Sequence, residues 1–295
     1  MPSNYEQGPA PHELHETLIR TYGDFIVDGL DVRTLAPHDP ALRSPNSIVM
    51  ASHPTWDETV ASLTNKNLGS ATVLTPELIT LTDLPQGVDV MVTVRQRIGE
   101  ATKISRAQHD ATLIIGTPYV FPFTPKPYNA ALILRGGRIA AVERKRILMG
   151  EEARQGEPAP DAQPIALGDA SVLICRDLIG AKEVQTNWSQ RSAAPYVERL
   201  TGDATLAAKY QHTRFIADGA RRLLVSSCWA VGLPEGMLSP DDDDADWYYR
   251  NALQSMARTV LNTNRALQQV IICDRAPDLH GTPISLVMSK PHVTL

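Results

Sequence analysis

Cysteine is scarce in this 295-residue chain. Cys175, Cys228 and Cys273 are its three, too few and too odd in number for a disulfide framework. That points to a reducing compartment, and the protein is expected to be cytoplasmic. No apolar run approaches the ~20 residues that cross a bilayer. The start, Met-Pro-Ser-Asn-Tyr-Glu-Gln-Gly-Pro, has no basic stretch followed by an apolar one, so it does not read as a secretory signal. Excess positive charge is missing too: 28 Lys and Arg face 33 Asp and Glu, a net charge of −5, which argues against nucleic-acid binding by bulk charge.

Several catalytic signatures are also absent. There is no Gly-x-Ser-x-Gly, so an α/β-hydrolase serine has no support. Neither Gly-x-x-x-x-Gly-Lys-Ser/Thr nor Gly-x-Gly-x-x-Gly occurs, so nucleotide cofactors have no motif. His12 and His15 are three apart, not the four of a zinc-binding helix, and no metal is expected. The run Asp241–Asp244 lacks the regular calcium-loop pattern and reads as a solvated loop.

What is present is an ordinary globular composition, 43% hydrophobic and 21% charged, sufficient for a sizeable core in one large domain or two small ones. Residues 1–45 are polar and proline-punctuated, with a short helix expected from about His12 to Tyr22, and read as an extension packed on a domain of residues 46–295. From residue 46, apolar runs alternate with helical stretches. Strands are expected at Ser47–Ser52, Ala71–Thr75, Ala111–Gly116, Ala130–Arg135, Arg138–Ile147, Ser171–Cys175, Arg222–Ser226 and Gln269–Cys273, and helices at Ala204–Asp218 and Asp246–Gln268. This alternation predicts an α/β domain whose sheets are covered by helices.

Three polar residues stand at or near the ends of expected strands. Pro76 cannot donate to a ladder and ends the 71–75 strand, placing Glu77 just beyond its C-terminal end, where open α/β sheets gather ligands. Between apolar neighbours such a carboxylate suits a general base; an ordinary loop glutamate is the alternative. Lys145, in an extended 138–148, shares a face with Ile139, Ala141, Glu143 and Ile147, with Arg144 and Arg146 opposite; a solvated basic run is the alternative. Cys175 ends the run Ser-Val-Leu-Ile-Cys and leads into a turn, a setting that can activate a thiol or bury a structural one. Cys228 and Cys273 read as structural.

Taken together, these segments resemble the carbon–nitrogen hydrolase, or nitrilase-like, superfamily. Pro76-Glu77 matches its glutamate motif. Gly137-Arg-Ile139 with Arg144-Lys145-Arg-Ile-Leu148 matches its lysine motif, and Ile174-Cys175-Arg176-Asp177 its cysteine motif. Ile115-Gly116-Thr117, Asn129-Ala130-Ala131 and Gly219–Trp229 look like further family segments, and the likeness covers about residues 46–287. The chain departs from the family pattern in a possible insertion near 180–202, a short C-terminus, and Ser226 where a proline is usual.

The resemblance implies a four-layer αββα sandwich and a hydrolase cleaving an amide or N-carbamoyl bond, with no cofactor. Cys-Arg-Asp at the nucleophile sits closer to amidases and carbamoylases than the Cys-Trp-Glu of true nitrilases. It implies Cys175 as nucleophile, Glu77 as base, and Lys145 with the Arg176 backbone N–H as oxyanion donors. Glu152, with Glu151 as the alternative, would position the lysine or substrate, and Trp229 would wall the pocket or sit in the core. The implied partner is a small amide or carbamoyl substrate, with no nucleic acid and no membrane, in a homodimer or larger homo-oligomer. An acyltransferase using the same thioester, or a non-catalytic binding protein keeping the fold, are the alternative functions.

Overall fold

A computed structural model describes residues 15–19, 23–27, 30–34, 47–120, 125–148, 151–186, 192–228, 254–277 and 283–291. Its strands form two mixed sheets. In the first are β2 (Gly23–Val27), β3 (Leu30–Thr34), β4 (Ile48–Met50), β5 (Thr72–Leu74), β6 (Thr112–Tyr119), β7 (Tyr128–Arg135) and β8 (Arg138–Arg144), in that spatial order. The second contains β1 (His15–Ile19), β9 (Ala166–Leu167), β10 (Ala170–Ile174), β11 (Arg222–Ser227), β12 (Gln269–Pro277) and β13 (Pro283–Ser289), ordered β1-β13-β12-β11-β10-β9. The fold is α/β.

Three apolar clusters set the layers. One joins the facing sides of both sheets, with Met50, Leu74, Ile114 and Ile133 from the first against Val172, Ile174, Leu224, Ile271 and Val287 from the second. Another packs the outer face of the first sheet on α1 (Trp56–Thr64) and α2 (Val90–Ala107). The third packs the outer face of the second sheet on α4 (Asp177–Thr186), α5 (Ala194–Thr201), α6 (Ala204–Ala208) and the helical stretch 254–263. The packing order is helices, sheet, sheet, helices. Strands buried on both faces read as continuous apolar runs, which is why the central strands are visible in the sequence.

Two expectations need correction. The apolar spacing at 12–22 predicts a helix, yet residues 15–19 form strand β1, paired antiparallel to β13 over His15–Ile19. A short isolated helix is marginal in water, whereas the open edge of β13 supplies a full ladder of hydrogen bonds. Residues 15–34 thus contribute edge strands to both sheets. The helix expected at Ala204–Asp218 stops at Ala208 and gives way to turns, although Leu206, Tyr210 and Phe215 still all pack on the same core.

The sheet directions decide where functional groups collect. β4, β5 and β6 are mutually parallel, β7 reverses against β6, and β8 reverses against β7. Strand β8 therefore points the same way as β5, and their C-terminal ends share one rim. In the other sheet β10, β11 and β12 are mutually parallel. The two rims meet where Glu77 N donates to Ser227 O (3.1 Å) and Ser226 Oγ donates to Thr75 O (2.9 Å). Gly116 in β6 makes room for this crossing: a Cβ there would lie 2.2 Å from Pro76 O and 2.8 Å from Glu77 Cα.

Candidate active site

Each sequence-selected residue of the acid–lysine–thiol set sits at that rim. Glu77 follows β5, Lys145 is the first residue past β8, and Cys175 is the first past β10; all three are buried. Lys145 Nζ donates to Glu77 Oε1 at 2.6 Å and also contacts the Glu152 carboxylate, 2.8 Å from Oε1 and 2.9 Å from Oε2. Glu152 is carried by α3 (Glu151–Gln155), so of the two candidate glutamates it is the one the structure brings to the lysine; the side chain of Glu151 lies outside the described ones. An ammonium has three N–H groups. Two are taken by the glutamates, leaving one for a ligand.

Cys175 occupies a two-residue turn between β10 and α4 with φ of 41°, a left-handed conformation unusual for a residue with a side chain. Its N–H donates to Ser226 O (2.8 Å) and its carbonyl accepts from Leu178 N (3.0 Å), so the strained turn is held from both sides. Such strain persists only where its surroundings over-determine it, and it recurs at functional positions. Leu78, directly after Glu77, is also left-handed at φ 53°. The Arg176 backbone N–H makes no hydrogen bond to a described residue. It follows the thiol at the start of α4, where helix N–H groups favour negative charge.

The structure adds partners that sequence reading did not select as site residues. Asn129, at the start of β7, donates through Nδ2 to Glu77 Oε1 at 2.6 Å and to Glu152 Oε1. Its side-chain amide thus bridges the same two carboxylates as Lys145, sharing Glu77 Oε1 and Glu152 Oε1 with the ammonium. The only sequence signal was its place in the Asn-Ala-Ala segment. Cys228, read as a structural thiol, contributes instead its backbone N–H, which donates to Glu77 Oε2 (3.1 Å) and also faces the Cys175 sulfur. A donor shared by the carboxylate and the thiol sets the two side by side. Asp274, buried within β12 and bonded by Ser227 Oγ (2.6 Å), lies within electrostatic range of the same thiol. No local pattern announces a backbone N–H or a carboxylate from a distant strand. Trp229 and Asp241–Asp244 lie outside the described residues, as does His12. Among the described residues no group of three or more His, Cys, Asp or Glu is arranged to hold a metal ion.

The electrostatics follow from burial and these neighbours. Burial opposes the Lys145 charge, but Glu77, Cys175 and Glu152 outweigh it and hold the ammonium more firmly protonated than an ordinary lysine. Burial pushes the Cys175 thiol well above its ordinary value; Glu77 pushes the same way, Lys145 pulls back, Asp274 pushes again and the Cys228 N–H pulls back. At neutral pH the sulfur therefore carries its proton. Alkylation by iodoacetamide consumes thiolate. Its rate at Cys175, followed by peptide mass mapping, should keep rising with pH and show no plateau below 9, the ordinary thiol value. A plateau at or below neutral pH would mean a resting thiolate.

No known family model matches the chain, and no curated protein matches it in sequence. Solved structures align with it in fold. A glutamine-dependent NAD+ synthetase from Acinetobacter baumannii aligns at 14% identity and TM-score 0.44 over 82% of this chain, which spans 38% of that one. The amidase of Nesterenkonia AN1, described as from the nitrilase superfamily, aligns at 16% identity and TM-score 0.44 over 78% of this chain and 79% of its own. The chain is similar to nitrilase-superfamily proteins. Saccharomyces cerevisiae Nit3, a member of branch 10 of that superfamily, aligns at 15% identity and TM-score 0.41, covering 75% of this chain and 76% of its own. Among the described residues, no helix is long and apolar enough to cross a membrane.

Proposed function

We propose that this protein is a cysteine-dependent carbon–nitrogen hydrolase of the nitrilase-like type, acting on an amide or N-carbamoyl bond of a small molecule. One observation carries the reading: a buried ammonium held between Glu77 and Glu152, with the Cys175 thiol in electrostatic range of both the ammonium and Glu77. A purely structural ion pair has no use for a strained thiol turn beside it, and a purely structural thiol has no use for a base.

In the proposed reaction Glu77 takes the thiol proton as the sulfur bonds to the carbonyl carbon. The carbonyl oxygen gains the negative charge and meets the third N–H of Lys145 and the N–H of Arg176. A donor of this kind contributes about 3–4 kcal/mol to lowering the barrier. The C–N bond then breaks, and the proton held by Glu77 leaves with ammonia or the amine, giving a thioester. Water attacks the thioester while Glu77 accepts one of its protons; the C–S bond breaks, the carboxylic acid departs, and the proton returns to sulfur. Glu152 and Asn129 keep the lysine and the base in register throughout.

The test is intact mass spectrometry after exposure to a panel of small amides and N-carbamoyl compounds. The expected result is an acyl adduct on Cys175 that decays with release of the acid and is missing in Cys175→Ala. Turnover of any panel member by Cys175→Ala, or an adduct confined to another residue, would refute the assignment.

A further inference from the structure

Behind the acid–lysine–thiol set lies a second ionic group that takes no part in the chemistry above. Glu143, Arg146 and Asp177 are all fully buried. Arg146 Nη1 donates to Glu143 Oε1 at 2.6 Å and to Asp177 Oδ2 at 3.1 Å, and its Nε donates to Ala162 O at 3.2 Å. The Asp177 carboxylate also accepts the backbone N–H of Arg146 (3.1 Å to each oxygen) and of Ile147 (3.0 Å). Glu143 Oε2 accepts the N–H of Ile165 (2.9 Å), and Tyr210 Oη donates to the Arg146 carbonyl (2.5 Å). The Arg146 guanidinium also lies over the Phe215 ring, 5.8 Å from its centroid.

The connectivity is what matters. Arg146 is the neighbour of Lys145, and Asp177, two residues beyond Cys175, is the first residue of α4. Nothing in the backbone ladder joins these two segments, since β8 and β10 belong to different sheets. Asp177 spans the gap, and Arg146 together with Glu143 holds Asp177 in place. Taking three charged groups out of water is expensive, and a well-packed apolar set of similar volume is commonly as stable or more so. The group is thus poorly explained by stability alone and well explained by geometry. Burial pushes the Asp177 carboxyl up, against the pull of Arg146 and of the two N–H groups, and it pushes Glu143 up to about 7.

We infer that Glu143, Arg146 and Asp177 form a positioning clamp that sets the separation between the Lys145 ammonium and the Cys175 sulfur. The clamp rests on the hydrolase reading for its effect on turnover, but its effect on the thiol does not. Lys145 pulls the thiol's proton affinity down. Letting the lysine drift therefore displaces the alkylation profile of Cys175 to higher pH.

The experiment measures that profile in Asp177→Asn, Arg146→Met and Arg146→Lys, with thermal melting as a fold control and Asp177→Asn as the mildest variant. The expected result is alkylation at pH 8 slowed on the order of tenfold. For any amide that the wild type turns over, kcat per titrated thiol should fall about 10²-fold, the cost of a misplacement of about 1 Å, with KM nearly unchanged. Arg146→Lys, which keeps the charge without the fork, should fall between the wild type and Arg146→Met. A lower melting temperature with an unmoved alkylation profile in a folded variant would overturn the clamp and leave the group merely structural. Absence of any acyl adduct in the wild type would overturn the hydrolase reading instead, and the alkylation profiles would still decide the clamp.

Discussion

Glu77→Gln is expected to abolish most amide turnover while making the Cys175 thiol easier to alkylate. The two effects have opposite signs because the carboxylate does two things. As the proposed base it would accept the thiol proton and later activate water, and losing a general base costs on the order of 10²–10⁴-fold. As a fixed negative charge it raises the proton affinity of the sulfur, second only to burial. Neutralising it removes that repulsion, so at neutral pH a larger fraction of the sulfur is thiolate and iodoacetamide reacts faster. The measurement pairs turnover on the best amide of the panel with the alkylation rate of the mapped Cys175 peptide. A parallel fall in both rates would show that Glu77 serves mainly to hold the fold or the thiolate, and the base assignment would go.

Replacing Lys145 with methionine should damage both stability and rate. Among the described residues the Lys145 ammonium is the cation bonded to both Glu77 and Glu152, and without it Asn129 alone would bridge them. Removing one partner of a buried pair costs about 3–5 kcal/mol, because a charge is left without compensation. Glu152 is partly solvated, with its side chain 25% exposed, so the lower half of that range is expected, with Glu77 as its main source. Loss of an oxyanion donor adds about 10²–10³-fold in kcat. Denaturant titration and single-turnover acylation measure the two separately. Lys145→Arg should recover part of the stability and little of the rate, since a planar fork does not reproduce a point donor. A Lys145→Met protein with wild-type kcat would remove the lysine from the mechanism.

How much of this was legible beforehand depends on the range of the interaction. The runs at 72–74, 112–119, 128–135 and 170–174 are apolar because both of their faces are covered, so each announces itself within a few residues. Helix α2, 18 residues long, is not announced by the sequence pattern. It exposes Val88, Val90 and Val92 around its start and buries Arg97 on its inner face, where Nη1 donates to Thr80 O at 2.9 Å, so its polarity pattern runs against the usual stripe. Strand β1 carries a helix-like apolar spacing, and the edge that recruits it, β13, lies at the other end of the chain. Arg146 was placed on a face opposite Lys145 by strand alternation, but β8 ends at Arg144, and beyond it both side chains turn inward.

The chain alone determined which side chains could do chemistry, since a proline, a turn and an apolar run mark strand ends locally and leave a glutamate, a lysine and a cysteine standing there. Only the tertiary structure decided that these ends share one rim, that Glu152 and Asn129 close the lysine's cage, that the Cys228 N–H couples base to thiol, and that Asp177 ties the two halves together. The physical reason is that charge and hydrogen bonding act through space over a few ångströms. Partners 31, 68 or 151 residues apart leave no mark on each other's local sequence until two sheets have packed face to face.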